Sequence, residues 1–169
     1  FIDIDLSTEE ICAQLTMAGL EVDGFENINS KITGKDSIIK LDITPNRGDC
    51  FSVLGVAREL AVINNLKLHL PEIPKVHDTF KDSIKIKVCP EGPSYFGRTL
   101  KNISIDSKTQ PLIAERLKLS DQKLIDPVVD ITNYILLELG QPLHAFDRDT
   151  LNGNISVRTA QNKEQITLL

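Results

Sequence analysis

Three polar side chains that could carry chemistry lie close together in the sequence. Thr132 and Asn133 fall on a predicted helix and His144 falls in the loop after it, so a loop that folds back along the helix would gather a hydroxyl, a carboxamide and an imidazole. Thr132 as nucleophile, His144 as base and Asp130 or Asp147 as orienting carboxylate would fit the pattern of nucleophile, base and third group. A structural role fits the same spacing, because a helical Thr or Asn often faces solvent or bonds back to the backbone. The residues alone leave both alternatives open.

A predicted helix and the loop that follows it would position these side chains. Upstream of Gly140, apolar residues recur at steps of three and four, as they do on the buried face of a helix. This stripe consists of Val128, Val129, Leu136 and Leu139. Gly140 is typical of a left-handed C-terminal cap. Pro142 forbids a return to helix and favours an extended Gln141, so the loop begins there and continues to Asp147.

The composition is that of an ordinary soluble globular protein. Of 169 residues, 41% are hydrophobic and 25% are charged. No apolar run approaches the roughly 20 residues of a membrane-spanning helix, and no signal peptide opens the chain, so we expect a cytoplasmic protein with no membrane partner. The three cysteines, Cys12, Cys50 and Cys89, are odd in number and lack metal-ligand spacing. We expect reduced thiols that mostly pack in the interior, with neither zinc nor disulfides.

The net charge of −5 is unevenly distributed along the chain. The first 30 residues contain seven acidic residues and neither Lys nor Arg, so the remainder has a net charge of about +2. The acids are Asp3, Asp5, Glu9, Glu10, Glu21, Asp23 and Glu26. Since non-specific affinity for nucleic acids comes chiefly from neutralising phosphates, the chain lacks the signature of a stand-alone RNA or DNA binder. It could still hold one end of an RNA that another domain delivers.

A small helix-strand domain is predicted for residues 1–72. After an alternating, strand-like opening over residues 1–6, Ser7 and Glu10 form a capping-box pattern that starts a short helix, and residues 20–25 alternate as in a half-buried strand. The polar residues near 27–37 predict a linker. A strand follows over residues 39–43, and the turn at 44–49 leads into a helix over about residues 50–65. In that turn Arg47 either contacts phosphate or, with Asn46, fixes the turn through backbone and carboxylate contacts.

A mixed α+β domain is predicted for residues 73–169. Strands are expected at 84–88, 99–105, 155–158 and 166–169, which have strand-like patterns. Thr109 is expected to cap a helix that has Pro111 in its first turn and that precedes the helix with Thr132. The predicted fold class is therefore α+β. We expect the second domain to be incomplete at its C-terminus, since the chain stops within an apolar run.

Four long runs of sequence resemble the β subunit of bacterial phenylalanine–tRNA ligase (phenylalanyl-tRNA synthetase). They occur in the family's order and together span nearly the whole chain, which makes the resemblance specific. The runs are LTMAGLEVDGFE at 15–26, DITPNRGDCFSVLGVARELA at 42–61, YFGRTLKNI at 95–103 and DPVVDITNYILLELGQPLHAFD at 126–147.

One large departure from the family pattern lies near residues 27–37. In the family an OB-fold tRNA-binding domain is inserted between the LEVDGFE segment and the strand before TPNR, whereas here only a short polar segment fills that space. The resemblance therefore implies an N-terminal fragment of the β subunit. It would comprise a B1-like domain over 1–72 without the tRNA-binding domain, and the first part of a B3/B4-like editing domain over 73–169.

The resemblance implies a subunit of the enzyme that attaches phenylalanine to its tRNA, in a region that hydrolyses tyrosine wrongly esterified to tRNA(Phe). His144, Thr132 and Asn133 would be the catalytic positions, and Pro142, Ala145 and His144 would bind the substrate, with no metal. ATP and magnesium would act at the synthetic site of the α subunit, in a cytoplasmic α2β2 assembly that receives the 3′ end of tRNA(Phe). The acidic residue that reads the tyrosine hydroxyl would lie beyond residue 169, so the isolated chain is expected to be inactive.

Under this resemblance His144 would hold the terminal adenosine or position a water, with general-base catalysis as the second role, and Asp130 would be a structural hydrogen-bond partner. Two other functions stay open. Because a fold alone does not establish hydrolysis, the chain could be a non-catalytic RNA-binding module or a scaffold between subunits. A pocket lined by Thr132, Asn133 and His144 would favour editing, whereas side chains buried in packing would favour a scaffold.

Overall fold

The computed structural model describes residues 1–104 and 106–167, and its elements give the α+β class that the sequence predicts. The α-helices in this part of the chain are α1 (Thr8–Met17), α2 (Val53–Ile63), α3 (Pro111–Leu119) and α4 (Pro127–Leu139). The strands are β1 (Glu21–Ser30), β2 (Gly34–Asp42), β3 (Ile86–Lys87) and β4 (Ile155–Ser156), and two 3-10 turns span Pro45–Cys50 and Arg148–Thr150. None of the described helices is long and apolar enough to cross a membrane.

The chain divides into two compact units. Unit 1 contains Phe1–Ile73 and Ser104–Ala145, and unit 2 contains Pro74–Ile103 and Phe146–Leu169. Unit 1 therefore combines α1, β1, β2 and α2 with α3 and α4. The assignment of 1–72 and 73–169 to two family domains stays a prediction, because a family domain is defined by its relatives and not by compactness in one chain.

The capping box predicted at the start of α1 is confirmed. The Ser7 hydroxyl accepts a hydrogen bond from the Glu10 N–H at 3.2 Å, and the Glu10 carboxylate accepts one from the Ser7 N–H at 2.8 Å. The two bonds satisfy N–H groups that the first turn of a helix leaves unpaired. The bond from the Ser7 backbone is also the main reason that the pKa of Glu10 is lowered. Both Leu15 within α1 and Leu20 after it are almost fully buried.

The linker predicted near residues 27–37 is wrong as local structure, because these residues form the half of a β-hairpin that includes its turn. β1 and β2 pair antiparallel, ending with Ser30 opposite Gly34. The Ser30 hydroxyl closes the turn by accepting hydrogen bonds from the N–H groups of Ile32 and Thr33, at 3.0 and 2.8 Å. Gly34 follows with a φ of 82°, which glycine adopts without strain. The placement of a family insertion at this point stays a prediction.

The core of unit 1 includes residues of α1, the hairpin and α2, and α2 confirms the helix predicted over about residues 50–65. Its buried cluster consists of Leu15, Leu20, Cys50 and Leu60. The partly buried apolar residues packed against it are Ile2, Ile11, Val22, Leu41, Ile43 and Val56. Cys12 and Cys50 are buried free thiols and Cys89 is half-buried, as expected of cysteines that mostly pack.

Several predicted strands are shorter than expected or absent. The strand expected over 84–88 is reduced to β3 and the strand expected over 155–158 to β4, which pair in parallel. Residues 1–6, 99–104 and 166–167 are not strands, so these predictions are wrong for the described residues, and residues 105, 168 and 169 lie outside them. A strand is stable only beside partner strands or a packed face, which an alternating pattern alone does not supply.

Two helices, α3 and α4, complete unit 1. The cap predicted at Thr109 is wrong, because the N-cap of α3 is Gln110, which makes no side-chain cap hydrogen bond. The Thr109 hydroxyl donates to Asp130 of α4 instead. α3 buries Leu117 completely and contacts α4, which also contacts α2. The helix that carries the candidate residues is thus supported by two others.

Candidate functional site

The start of α4 is fixed by the sequence Asp-Pro. The Asp126 carboxylate accepts hydrogen bonds from the N–H groups of Val128 and Val129, at 2.8 and 3.1 Å. Pro127 occupies the first turn, where its missing N–H has no partner to lose. Both residues set the helix to begin at Pro127, which places Thr132 and Asn133 within its second turn.

Asp130 is a buried carboxylate that holds backbone and side-chain groups around α4. It is 1% exposed, and it accepts hydrogen bonds from the Ile125 N–H at 2.9 Å and from the Thr109 hydroxyl. A buried carboxylate requires such donors, because losing water without them is costly. These contacts give Asp130 the structural role that was expected of it.

Thr132 bonds back to its own helix, one of the two arrangements that the sequence leaves open. Its hydroxyl donates to the Val129 carbonyl at 2.7 Å. Thr132 and the adjacent Asn133 are both half-buried. Since the single hydroxyl proton is already donated, the oxygen of Thr132 can act as an acceptor in this arrangement, but it would have to break the bond to serve as a nucleophile.

A network that the sequence does not predict lies further along α4. The Tyr134 hydroxyl donates to Glu138 at 2.6 Å and accepts from Arg116 of α3, which lies 3.4 Å from the same carboxylate oxygen. Burial first, and then the bond to Glu138, raise the pKa of Tyr134. The four-residue spacing of Tyr134 and Glu138 indicates a shared helix face. Their bonds to Arg116 depend on tertiary packing, which no local signal shows.

Gly140 ends α4 at a close approach to the start of α2. Its φ is 75° and its N–H donates to the Leu136 carbonyl at 2.9 Å, which confirms the predicted left-handed cap. A Cβ atom on Gly140 would lie 3.2 Å from the Cβ and 3.3 Å from the Oγ of Ser52. Glycine is the residue that combines this backbone conformation and this proximity without strain.

The loop after α4 exposes the remaining predicted residues. Pro142, His144 and Ala145 are all exposed, as is every residue of the loop from Gln141 to Asp147. The Gln141 side chain donates to the Pro142 carbonyl at 3.1 Å. The structure therefore places two of the five predicted site residues on a supported helix and the other three on an exposed loop. The convergence of His144 with Thr132 and Asn133 in one cleft stays a prediction.

A second polar cluster in unit 1 surrounds Arg47. Its guanidinium lies 2.9 Å from the Glu59 carboxylate and 3.1 Å from the Asp49 carboxylate, and it donates to the Cys50 sulfur at 3.1 Å. It also donates to the Ala18 carbonyl at 3.3 Å. These contacts hold the turn Pro45–Cys50 against α2 and the end of α1. Of the two roles considered for Arg47, fixing the turn is the one that the structure shows.

The same cluster contains ligand-type atoms but does not suit a metal ion. Atoms of Asp49, Cys50 and Glu59 lie within 4.8 Å of one another. The Arg47 guanidinium already supplies the positive charge among them, so a divalent cation would meet a like charge. Its hydrogen bond to Asp49 lowers the pKa of that carboxyl, whereas burial raises the pKa of the Cys50 thiol. A metal needs the thiolate, so the cluster is an ion-pair network.

Asp82 is the centre of a polar network in unit 2 that sequence reasoning also missed. Its carboxylate accepts from the Thr99 hydroxyl at 2.6 Å, from the Arg148 guanidinium at 3.3 Å and from the Ser83 N–H at 2.6 Å. The bond from Thr99, followed by that from Arg148, holds the pKa of Asp82 well below its usual range. The two side-chain partners are 17 and 66 residues away, beyond the reach of any local pattern.

Comparison with known proteins identifies the class of domain that contains the candidate site. Residues 91–169 match the B3/4 domain family. This range contains α3, α4 and the loop from Gln141 to Asp147, and therefore all of the predicted site residues.

Curated proteins similar to most of this chain are phenylalanine–tRNA ligase beta subunits. The chain is 48% identical to the phenylalanine–tRNA ligase beta subunit of Idiomarina loihiensis over 136 residues, which is 79% of this chain and 17% of the relative. The beta subunit of Pseudoalteromonas translucida is 46% identical over the same shares of the two chains. That of Acinetobacter baylyi is 45% identical over 144 residues, 85% of this chain and 18% of the relative.

The resemblance found in the sequence is thereby confirmed. Over most of its length this chain is homologous to phenylalanine–tRNA ligase beta subunits, which are subunits of an aminoacyl-tRNA synthetase. The aligned regions span only 17% or 18% of the length of these curated relatives.

Proposed function

We propose that this chain is part of the beta subunit of a phenylalanine–tRNA ligase, and that α4 and the loop after it contribute to an editing site that hydrolyses tyrosine esterified to tRNA(Phe). The observation that carries the proposal is the identity of 48% to a beta subunit, over 79% of the chain. The match of residues 91–169 to the B3/4 domain family adds to it, because that range includes the candidate residues. The exposure of the loop is also favourable, since an RNA end arriving from outside can reach it.

The physical need for such a site follows from the shape of the two amino acids. A mainly hydrophobic pocket for phenylalanine discriminates only weakly, by about 10²-fold in comparable cases, against a ligand that merely adds a hydroxyl. A second pocket that hydrogen-bonds the hydroxyl excludes phenylalanine, because its own polar groups would otherwise be left unpaired. Tyrosine is then removed from the tRNA while phenylalanine is retained.

In this proposal His144 holds the terminal adenosine or positions the attacking water. The ester is already reactive, so orienting a water supplies much of the rate. Thr132 and Asn133 contribute polar atoms from α4, with Thr132 acting as an acceptor because its proton is donated within the helix. Pro142 and Ala145 provide apolar contacts beside the substrate.

The proposed partners are those of the whole enzyme. They are the alpha subunit, in a cytoplasmic α2β2 assembly, and the 3′ end of tRNA(Phe). Aminoacylation with ATP and magnesium takes place on the alpha subunit, and no cofactor is assigned to this chain. The isolated chain is proposed to be inactive in both reactions.

The test is His144→Ala in the whole enzyme. Deacylation of Tyr-tRNA(Phe) should fall by about 10²- to 10⁴-fold, the range of a group that positions a proton transfer, or less if the imidazole only orients the substrate. Charging with phenylalanine should stay unchanged, because the synthetic site is on another subunit. Unchanged deacylation with normal charging would remove His144 from the site.

Thr132→Val provides the comparison within α4. The substitution keeps the shape of the side chain and removes the hydroxyl that donates to Val129. If Thr132 also faces the substrate, deacylation should fall, but less than in His144→Ala. If the hydroxyl serves only the helix, the melting temperature alone should change.

One observation favours a second function, that of a scaffold between subunits. The polar groups of Asp126, Asp130 and Thr132 are all bonded to nearby backbone or side-chain groups, as they would be in a purely structural helix. A scaffold predicts that His144→Ala leaves deacylation intact, whereas truncation of half-buried apolar residues in α4 disrupts assembly with the alpha subunit. Measuring both properties on the same variants separates the two functions.

A further inference from the structure

A contact between the ends of two helices fixes the point at which the loop from Gln141 to Asp147 begins. Gly140, the last residue before the loop, lies against Ser52, the N-cap of α2. We propose that Gly140 is a positioning residue for this loop, because a glycine at this position lets α4 end directly against Ser52. The inference rests on the proposed function, because the direction of the loop affects catalysis only if His144 is part of the editing site.

Ser52 belongs to a segment that is held on both sides. Its hydroxyl accepts a hydrogen bond from the Gly55 N–H at 3.0 Å, and its carbonyl accepts one from the Val56 N–H at 3.1 Å. A Cβ atom on Gly55 would lie 2.0 Å from the Asp49 carbonyl oxygen, so α2 packs directly on the turn Pro45–Cys50. Arg47 fixes that turn through its carboxylate and carbonyl contacts. Ser52 is therefore part of a rigid support.

Beside this support, Gly140 leaves too little room for a side chain. A Cβ atom added to it would lie 3.2 Å from the Ser52 Cβ and 3.7 Å from the Phe51 carbonyl oxygen, and its backbone has a φ of 75°. A side chain at this position would have to displace Ser52 or turn the end of α4. Either change would move Gln141, the next residue, and with it the exposed loop. The direction in which the loop leaves α4 therefore depends on the absence of a side chain at position 140.

A displaced loop should weaken editing selectively. The new methyl group requires a shift of a few tenths of an ångström. Since misplacing a group by about 1 Å can cost about 10²-fold in rate, Gly140→Ala is expected to lower kcat/KM for Tyr-tRNA(Phe) deacylation by about 3- to 10-fold. Charging with phenylalanine should not change. Ser52→Gly removes the side-chain atoms that the new methyl group meets and keeps most of the capping effect. In the double variant, deacylation should return to the level of Ser52→Gly alone, which we expect to lie within about 2-fold of the parent because Ser52 does not touch the substrate in this proposal.

The chain offers matched controls for both substitutions. Gly19 follows α1 with a φ of 83°, but nothing lies within 4 Å of its Cβ position. Gly19→Ala therefore introduces the same left-handed strain without the contact, and it should lower the melting temperature about as much as Gly140→Ala while leaving deacylation unchanged. Ser7→Gly, at the N-cap of α1, controls for altering a cap elsewhere.

The experiment measures deacylation of Tyr-tRNA(Phe), charging with phenylalanine and thermal unfolding of the whole enzyme with each substitution. A deacylation loss in Gly140→Ala that Gly19→Ala lacks, and that Ser52→Gly reverses, is the expected result. Equal deacylation by the two alanine variants, or no recovery in the double variant, would overturn the positioning role of Gly140. His144→Ala is measured in parallel. If it loses deacylation while Gly140→Ala does not, only the positioning role fails; if it keeps deacylation, the proposed function fails.

Discussion

Removal of the buried carboxylate of Asp130 should destabilise the chain substantially. Asp130 is 1% exposed and accepts hydrogen bonds from the Ile125 N–H at 2.9 Å and from the Thr109 hydroxyl. A hydrogen bond to a charged group contributes about 1.5–3 kcal/mol, so the two bonds set an upper limit of about 6 kcal/mol. Ile125 is exposed and Thr109 is half-buried, so water can reach both donors once the carboxylate is gone. We therefore expect Asp130→Ala to lower the free energy of unfolding by about 3 kcal/mol.

Urea unfolding of the chain measures this loss as a lower midpoint at an unchanged m-value. For a protein of this size, about 3 kcal/mol corresponds to a decrease of about 6–12 °C in the melting temperature. Asp130→Asn keeps an acceptor for the Ile125 N–H and presents an amide to the Thr109 hydroxyl, which can rotate to accept it, so its expected cost is about 1 kcal/mol. Asp23→Ala, at an exposed acid of β1, is the control and should stay within about 0.5 kcal/mol of the parent.

The hydrogen bond itself is tested by combining Asp130→Ala with Thr109→Val. The double variant should lose less stability than the sum of the single variants, because the valine removes the hydroxyl that the alanine leaves unpaired. Additive losses, or a loss below about 1 kcal/mol in Asp130→Ala, would refute the reasoning. In the whole enzyme Asp130→Asn should keep its deacylation activity. A loss of deacylation at unchanged stability would restore Asp130 as a candidate for orienting His144.

Two further predictions concern titration and thiol chemistry. Arg158 binds Glu164 at 2.6 Å and lowers the pKa of that carboxyl from 4.5 to about 2, so the stabilisation is present above pH 4.5 and is lost as the pH falls toward 2. In Arg158→Gln the free energy of unfolding should therefore fall less between pH 4.5 and 2 than in the parent. Identical acid-unfolding curves for the variant and the parent would contradict the prediction. Burial raises the pKa of Cys12 and Cys50, so iodoacetamide at pH 8 should modify the half-buried Cys89 first. Mass spectrometry measures the rate of modification of each cysteine, and modification of Cys50 as fast as that of Cys89 would contradict the prediction.

The ends of several helices could be predicted because their signals are local. Ser7 and Glu10 are three residues apart and satisfy each other's backbone groups, whatever the rest of the chain does. Gly140 is similar, since the left-handed conformation at a helix end depends on one residue. The cap at Thr109 was predicted wrongly for a tertiary reason: its hydroxyl binds Asp130, 21 residues away, and is not available to α3.

Strands were predicted less well because pairing joins distant segments. Residues 27–37 lack regular alternation, but a turn closed by Ser30 brings β1 and β2 together and their backbone groups pair. Residues 1–6 alternate clearly, yet within the described residues they do not form a ladder, and a backbone hydrogen bond runs there from the His69 N–H to the Phe1 carbonyl. Alternation describes which face of a strand would be buried, but it does not determine whether a neighbouring strand is present.

The polar residues of α4 show why the candidate site could be named from the sequence but not assembled from it. In sequence, Asp130 and Thr132 are alike: polar groups on an otherwise apolar helix. The structure separates them by partner, since Asp130 holds a distant hydroxyl and Thr132 bonds within its own turn. His144 differs from both because it lies on an exposed loop, whose direction depends on the absence of a side chain at position 140. A substitution that moves the loop and leaves every polar residue in place therefore tests the site more directly than truncation of the polar residues on the helix, where loss of function and loss of stability coincide.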